Sequence, residues 1–157
     1  IEAMTGPDCT FSIGVIHAGQ WVNCVSAHCD AEALTMAKTQ KDLEDGIARI
    51  MALQGDADGV EFHVTRGVTR PVWEPNQPGT MALFDIAKDI CTELGFDLIG
   101  RSQGGGSDGN FTGYLGIPTL DSLGVRGEGL HTLTEHIEVS SLVERAKLMS
   151  ALIMRLE

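Results

Sequence analysis

The sequence has few basic residues and no long hydrophobic run, and these absences exclude two classes of partner. Eleven Lys and Arg stand against 22 Asp and Glu, which gives a formal net charge of -11 at pH 7. Without a basic stripe to neutralise phosphates, the chain is not expected to bind nucleic acid or anionic membranes. No apolar run approaches the roughly 20 residues that a transmembrane helix needs. The first residues, from Ile1 to Met4, also lack the basic region of a signal peptide.

The sequence also lacks a CxxC pair among its four cysteines. Cys24 and Cys29 are five residues apart in a segment predicted to be a strand, where their side chains would face opposite ways. This favours reduced thiols and a cytoplasmic location. The chain begins with Ile1 rather than Met, which suggests a trimmed or excised chain.

The first half of the chain has the pattern of an antiparallel sheet with one helix. Residues 10–18 alternate loosely in polarity and residues 21–36 resume after a break, which predicts two strands joined as a hairpin. Residues 60–65 are predicted as a third strand. Residues 39–54 are predicted as an amphipathic helix, because apolar residues recur there at helical spacing: Leu43, Ile47, Ile50 and Met51.

The second half alternates helices with short apolar runs. Three prolines within residues 66–78 mark a domain boundary, and residues 80–94 are predicted as a helix that ends at a glycine. Residues 96–100 and 117–123 are apolar runs typical of strands that are covered on both faces. A capping box, Ser141–Glu144, precedes a last helix whose apolar stripe is Val143, Ala146, Met149 and Ile153. This order predicts an α/β fold with a parallel sheet. Two strands make a poor sheet, so the second half is expected to be the rear of a larger domain.

Several motifs occur in a fixed order near the C-terminal end: Gly104-Gly-Gly-Ser-Asp108, Leu115-Gly-Ile-Pro118, and Gly127-Glu-Gly-Leu-His131 with Glu135 four residues later. In this order they resemble the C-terminal part of the M20 family of zinc-dependent aminoacyl and peptide hydrolases, closest to glutamate carboxypeptidases. The first half is similar to that family's inserted lid, or dimerisation, domain. The resemblance therefore implies an incomplete α+β lid with an antiparallel sheet in residues 1–75, and the incomplete C-terminal part of the catalytic α/β domain in residues 76–157.

The resemblance implies two zinc ions in the complete enzyme, and His131 matches the family's late histidine ligand. Neutral imidazole binds zinc well, and Gly127 and Gly129 allow the loop to fold the histidine inward. However, the chain contains no adjacent Glu-Glu pair to supply the general base. We therefore expect no catalytic residue in this chain, an incomplete zinc site, and no activity for the chain alone.

The resemblance also implies three substrate-binding residues. Asn23 matches a lid asparagine that binds a substrate carbonyl or carboxylate, and Arg70 matches an arginine that clamps a carboxylate bidentately. The loop is two residues longer than in the family, so Arg66 competes with Arg70. The backbone of Gly106 is expected to lie against the substrate. From the residues alone, the glycine run could instead be a tight strand-to-helix turn with Asp108 as N-cap; a phosphate loop would need Lys-Ser/Thr, which is absent.

Two departures from the family pattern bear on specificity and metal binding. Where the lid strand of the family has Pro, Asp and Arg, this chain has Ser26, Leu34 and Met36, so one carboxylate-binding arginine is missing and glutamate specificity is not expected. The sequence His28-Cys29-Asp30 has HxD spacing but lacks the turn that follows the metal motif, so we do not expect it to bind metal.

The sequence therefore predicts the C-terminal part of a metal-dependent hydrolase that cleaves amide bonds of N-acyl amino acids or small peptides and forms a homodimer through its lid. Two alternatives stay open. One is a non-catalytic dimerisation module. The other is a carboxylate-binding module that uses Arg70 and Gly106 without zinc.

Overall fold

The computed structural model describes residues 1–156, which divide into two compact units. Unit 1 comprises Ile1–Val72 with Gly104–Gly106, and unit 2 comprises Trp73–Gln103 with the chain from Ser107 onward. Helices and antiparallel strands alternate along the chain, which confirms the α/β class. The assignment of residues 1–75 to a lid and of residues 76–157 to part of a catalytic domain stays a prediction.

Unit 1 is a two-stranded sheet covered by one helix, with a small hairpin after it. Strand β1 pairs antiparallel with β2, with Cys9 opposite Ala37 and a β-bulge between Ile13 and Val15. The buried core consists of Cys9, Phe11 and Leu43. The elements are a 3-10 turn Glu2–Met4, β1 Cys9–Ala18, β2 Cys29–Ala37, α1 Gln40–Met51, β3 Gly55–Ala57 and β4 Val60–Phe62.

Helix α1 begins where the sequence predicts it, because Thr39 caps it. The Thr39 Oγ1 atom accepts a hydrogen bond from the Asp42 backbone N–H at 3.1 Å. Leu43 is buried, and the other predicted apolar residues of this helix are half-buried: Ile47, Ile50 and Met51. The predicted amphipathic helix is therefore confirmed, with its end three residues earlier than expected.

The prediction of a strand over residues 21–36 is wrong in its first part. Residues 19–28 form exposed turns, and β2 begins only at Cys29. Gly19 takes a φ of 75°, which leads the chain out of β1, and the Ser26 hydroxyl accepts a hydrogen bond from the Gly19 N–H at 2.9 Å. Cys24 therefore lies in a turn, so the expectation that Cys24 and Cys29 face opposite ways along one strand is also wrong. The third strand is shorter than predicted and pairs with Gly55–Ala57.

Unit 2 has a core formed by two packed helices. The elements are α2 Pro78–Leu94, α3 Gly109–Tyr114, β5 Gly127–Glu128, β6 His136–Ile137 and α4 Ser141–Arg155. Helix α2 ends at Gly95, whose φ of 85° is the left-handed conformation that favours glycine. The buried cluster comprises Ala87, Ile90 and Cys91 of α2 with Leu148 and Leu152 of α4.

The two predicted strands of unit 2 do not form a sheet. Residues 96–100 and 117–123 belong to none of the three two-stranded sheets within residues 1–156, and no parallel pair occurs there. Their apolar residues still pack on the helical core: Phe96, Leu98, Leu120 and Leu123. A strand exists only when a neighbour pairs with its backbone, and the described residues supply no such neighbour.

The start of α4 also differs from the prediction. The N-cap is Ser140, and Ser141 makes different bonds from those of a capping box: its hydroxyl donates to the Glu138 carbonyl at 2.6 Å and accepts from the Arg126 N–H at 2.9 Å. The carboxylate of Glu144 binds Arg126 instead of the helix end. Within residues 1–156, no helix combines the length and apolar character that crossing a membrane would require.

Candidate functional site

His131 lies at the tip of the loop between β5 and β6. Its backbone takes a φ of 65°, and its N–H donates a hydrogen bond to the Glu135 carboxylate at 3.0 Å. A non-glycine residue in the left-handed conformation is uncommon, and functional sites are enriched in such residues. The side chain is exposed, so the imidazole can reach a ligand outside the loop.

An ionic cluster closes the base of this loop. The Arg126 guanidinium donates to Glu138 at 2.9 Å and to Glu144 at 2.6 Å, and the Arg126 carbonyl accepts from the Glu138 N–H at 2.8 Å. The hydrogen bonds that Arg126 donates to Glu138 and Glu144 raise the pKa of the guanidinium. The buried hydroxyl of Ser141 completes the cluster. Sequence reasoning missed Arg126, because its partners are 12 and 18 residues away and do not share one helix or strand with it.

The described residues do not form a complete metal site by themselves. Within the described residues, no group of three or more His, Cys, Asp or Glu side chains could hold a metal ion. His131 can supply one imidazole nitrogen, whereas a zinc ion takes about four ligands. The His28 Nε2 and Asp30 Oδ2 atoms are 3.0 Å apart, but they form an exposed pair on a strand end.

Arg70 and Gly106 are neighbours in unit 1. A Cβ built on Gly106 would be 3.3 Å from Cδ of Arg70, so the aliphatic part of the arginine lies against the glycine backbone. The arginine occupies the space where a side chain would stand, so a larger residue at this position would displace it, although Gly106 as a whole is exposed. The structure thus brings together two of the three predicted substrate-binding residues.

Arg66, the competing arginine, is committed to another contact. Its Nη1 and Nη2 atoms donate to the two oxygens of Glu44 at 3.0 and 3.1 Å, and its Nε atom donates to Thr69 at 2.9 Å. A guanidinium that is paired bidentately with a carboxylate of its own chain has few donors left for a substrate. Which of the two arginines binds a substrate carboxylate stays a prediction.

Asn23 lies in the exposed turns of residues 19–28, whereas the sequence had indicated a strand at this position. Its Oδ1 atom accepts a hydrogen bond from the Cys24 thiol at 3.8 Å. A residue in an exposed turn is held by fewer contacts than one in a sheet, so the position of this amide depends on the turn. Its role in substrate binding stays a prediction.

The chain after Gly106 turns into the short helix α3, and Asp108 is its N-cap, the position that the sequence had given it as one alternative; the segment before the turn is not a strand. The capping bonds come from the neighbours of Asp108: the Ser107 hydroxyl accepts from the Gly109 N–H at 3.1 Å, and the Asn110 side chain accepts from the Ser107 N–H at 2.8 Å. This arrangement is the tight turn that the glycine run allows.

Comparisons with known proteins point to one family. The chain is 29% identical over 147 residues to the uncharacterized protein YqjE of Bacillus subtilis (strain 168), an alignment that covers 92% of this chain and 39% of that protein. It is 33% identical over 99 residues to carboxypeptidase G2 of Pseudomonas sp. (strain RS-16), which covers 62% of this chain and 23% of that protein.

A solved structure shows the same similarity. The crystal structure of aminopeptidase PepT from Bacillus cereus ATCC 10987 superimposes with a TM-score of 0.66 and 26% sequence identity, over 94% of this chain and 40% of that chain. The present chain thus spans about two fifths of the length of YqjE and of the PepT structure, and its match covers 23% of carboxypeptidase G2. The profile of Peptidase family M20/M25/M40 matches residues 2–155, and the chain belongs to this family.

Proposed function

We propose that the chain is part of a metal-dependent hydrolase that cleaves amide bonds of N-acyl amino acids or small peptides. The observation that carries this proposal is the contact between Arg70 and Gly106 in a chain that belongs to a peptidase family. An arginine whose Cδ atom lies beside an exposed glycine combines a cationic donor with a backbone that carries no side chain. The names of two relatives, a carboxypeptidase and an aminopeptidase, support a peptide or peptide-like substrate.

Each predicted residue has a distinct task in this proposal. Arg70 binds the substrate carboxylate, Gly106 lies against the substrate backbone, and the Asn23 amide donates to a substrate oxygen without adding charge. His131 contributes one ligand to a zinc centre of two ions. Since the described residues hold no other cluster of ligands, the remaining ligands and the general base must come from outside residues 1–156. We therefore propose that the chain alone is inactive.

We also propose that the chain works as a homodimer in the cytoplasm. Support for the dimer comes from the outer edge of β2 in unit 1, which pairs with no further strand within residues 1–156. The outer edge of β1 differs, because the N–H groups of Phe11 and Ile13 donate to the side chains of Thr5 and Glu2. An open edge such as that of β2 carries free N–H and C=O groups that favour pairing with another strand.

The roles of the two arginines can be tested by ligand binding. Titrating the chain with an N-acetyl amino acid, followed by NMR, should show binding that weakens about tenfold or more in Arg70→Ala, equivalent to about 1.4 kcal/mol. The matched control is Arg66→Ala, which removes a neighbouring guanidinium that is occupied by Glu44. The C-terminal amide of the same ligand should bind about as weakly to the wild-type chain as the acid binds to Arg70→Ala.

Other outcomes would change the assignment. If Arg66→Ala abolished binding and Arg70→Ala did not, the carboxylate site would belong to Arg66. If the acid and its amide bound equally, the carboxylate clamp would be absent. Tight metal-free binding, without turnover in any assembly of the complete domain, would instead favour a carboxylate-binding module.

A further inference from the structure

The loop between β5 and β6 is held by hydrogen bonds within the loop itself, and we call residues 129–135 the His131 loop. The Gly129 carbonyl accepts hydrogen bonds from the N–H and from the hydroxyl of Thr132, at 2.9 and 2.6 Å. The Thr132 carbonyl in turn accepts from the Glu135 N–H at 3.2 Å. Backbone groups that are paired inside a loop restrict it to few conformations, because other conformations would lose these partners.

The tip of the His131 loop has an unfavourable backbone conformation that another residue stabilises. His131 takes a φ of 65°, a region where the Cβ atom of an L-residue crowds the following carbonyl oxygen. The Glu135 carboxylate accepts a hydrogen bond from the His131 N–H at 3.0 Å. A hydrogen bond to an ionised carboxylate is stronger than one between neutral groups. Glu135 therefore stabilises the backbone conformation in which the loop exposes the imidazole.

Apolar packing contributes little to the position of this loop. Leu130 is 69% exposed, and Leu133 is fully exposed. The hairpin of β5 and β6 that carries the loop has two residue pairs. A hairpin this short is marginal by itself, so the loop depends on polar contacts at its tip and at its base.

Arg126 joins the base of the hairpin to helix α4. Its side chain donates to the carboxylate of Glu138, which directly follows β6, and to that of Glu144 in the first turn of α4. Its backbone N–H donates to the buried hydroxyl of Ser141, the first residue of the same helix. One residue thus connects both ends of the hairpin to a helix that is held by the core of unit 2.

We propose that Arg126 and Glu135 are positioning residues that hold the His131 loop in one conformation before the imidazole binds a ligand. Arg126 acts on the base of the loop, and Glu135 acts on its tip. The inference rests on the proposed function, in which His131 is a zinc ligand. An ordered loop loses less conformational entropy when its side chain binds, so both residues increase the affinity of the site without contacting the ligand.

The tip is tested by NMR of the isotopically labelled full chain at neutral pH with a chelating agent present. In the wild-type chain, the backbone order parameter S² of the His131 loop should be close to the value of about 0.85 that is typical of a rigid backbone. His131 should also show the strong HN–Hα NOE of a positive φ. Glu135→Ala should lower S² at His131 to below about 0.6 and remove this NOE. Glu135→Gln keeps an oxygen acceptor and should restore both.

The base is tested by hydrogen exchange in the same chain. The Glu138 N–H donates to the Arg126 carbonyl, so it should exchange at least tenfold faster in Arg126→Ala, and S² should fall throughout the His131 loop. Glu135→Ala should leave the exchange at Glu138 unchanged. The matched control is Glu128→Ala, which removes an exposed carboxylate from β5 of the same hairpin and should change neither readout. Unchanged chemical shifts in the core of α2 and α4 will show that each variant is folded.

Four results would each overturn the inference. They are a wild-type loop with S² below about 0.6, equal NOEs in Glu135→Ala and Glu135→Gln, unchanged exchange of the Glu138 amide in Arg126→Ala, and equal effects of Glu128→Ala and Arg126→Ala. These readouts need neither zinc nor substrate. If the loop responds as expected but the complete protein holds no zinc, the positioning roles stand and the proposed function fails. A mobile loop in a complete protein that cleaves an N-acetyl amino acid would reject the inference and keep the proposed function.

Discussion

Gly46 lies in the middle of α1, where the helix contacts the sheet of unit 1. A Cβ at this position would be 2.6 Å from the Cys9 sulfur and 3.1 Å from the Thr35 hydroxyl. Real Cβ atoms do not approach other heavy atoms this closely, so the helix can lie this near to the strand only without a side chain here. The residue is buried, and its neighbour Cys9 is part of the same core.

Two opposing effects decide the result of Gly46→Ala. An alanine gains about 1 kcal/mol of helix propensity over glycine, whereas overpacking a dense core costs about 1–3 kcal/mol. We expect the second effect to exceed the first, so that thermal unfolding shows a lower Tm. In the Cys9→Ala background the 2.6 Å contact with the sulfur is gone, and Gly46→Ala should then lower the Tm by less. A higher Tm for the single variant would show that the helix moves freely from the sheet.

The two arginines show what the sequence could and could not decide at this scale. Both Arg66 and Arg70 fit the pattern of a carboxylate clamp. Because the loop is two residues longer than in the family, the sequence does not decide which of them matches the family's arginine. The structure adds a contact that the sequence does not show, since Glu44 on α1 pairs with Arg66 across 22 positions of sequence. Such an ion pair forms only because the fold brings distant residues together. Sequence spacing predicts ion pairs only between residues three or four apart on one helix.

At the scale of elements, hydrophobic periodicity located every long helix but did not identify the buried face of α4. Its apolar residues occupy both sides, and only packing on α2 shows that Leu148 is inside while Val143 is outside. Strands over 96–100 and 117–123 were predicted from the apolar composition of each segment. A strand also needs backbone hydrogen bonds to a second segment, and composition does not show whether such a partner is present. The exposed turns of residues 19–28 were mistaken for a strand because they contain apolar residues without a helical or twofold period.

The contact between α2 and α4 includes an ion pair with a defined pH dependence. Arg155, in the last turn of α4, donates to the Glu93 carboxylate of α2. This hydrogen bond lowers the pKa of Glu93 below the ordinary value of 4.5. The unfolded chain therefore binds a proton at a higher pH than the folded chain does. The stabilisation by this pair is present above the unfolded pKa and is lost as the pH falls through the folded pKa.

We expect the Tm difference between the wild-type chain and Glu93→Gln to be positive at neutral pH and to shrink towards zero at about pH 3. The difference should be small throughout, since both side chains are exposed and solvent screens the pair. In an Arg155→Gln background, Glu93→Gln should show no such pH dependence. A Tm difference that is the same at both pH values would mean that the pair does not stabilise the helix contact.

At the scale of the whole molecule, the exposed apolar residues fall into separate sets on the two units. In unit 2 they surround the helical core. In unit 1 some lie in the turns of residues 19–28 and others on the strands, where Ile16, Leu34 and Met36 are exposed by 62%, 56% and 39%. A two-stranded sheet is marginal by itself, and an acidic chain of net charge -11 resists non-specific association. Association through unit 1 should therefore be specific and depend on these strands.

Sedimentation at tens of micromolar should show a homodimer of the full chain, because pairing of two sheets satisfies an open edge and covers part of this apolar strand surface. Leu34→Lys places a charge on β2 and should shift the sample to monomer. Ile153→Lys, on α4 of the other unit, is the matched control and should leave the dimer intact. The opposite pattern, in which Ile153→Lys dissolves the dimer and Leu34→Lys does not, would move self-association to unit 2. It would also remove the proposed role of unit 1 as a dimerisation domain, as would a strict monomer for the wild-type chain.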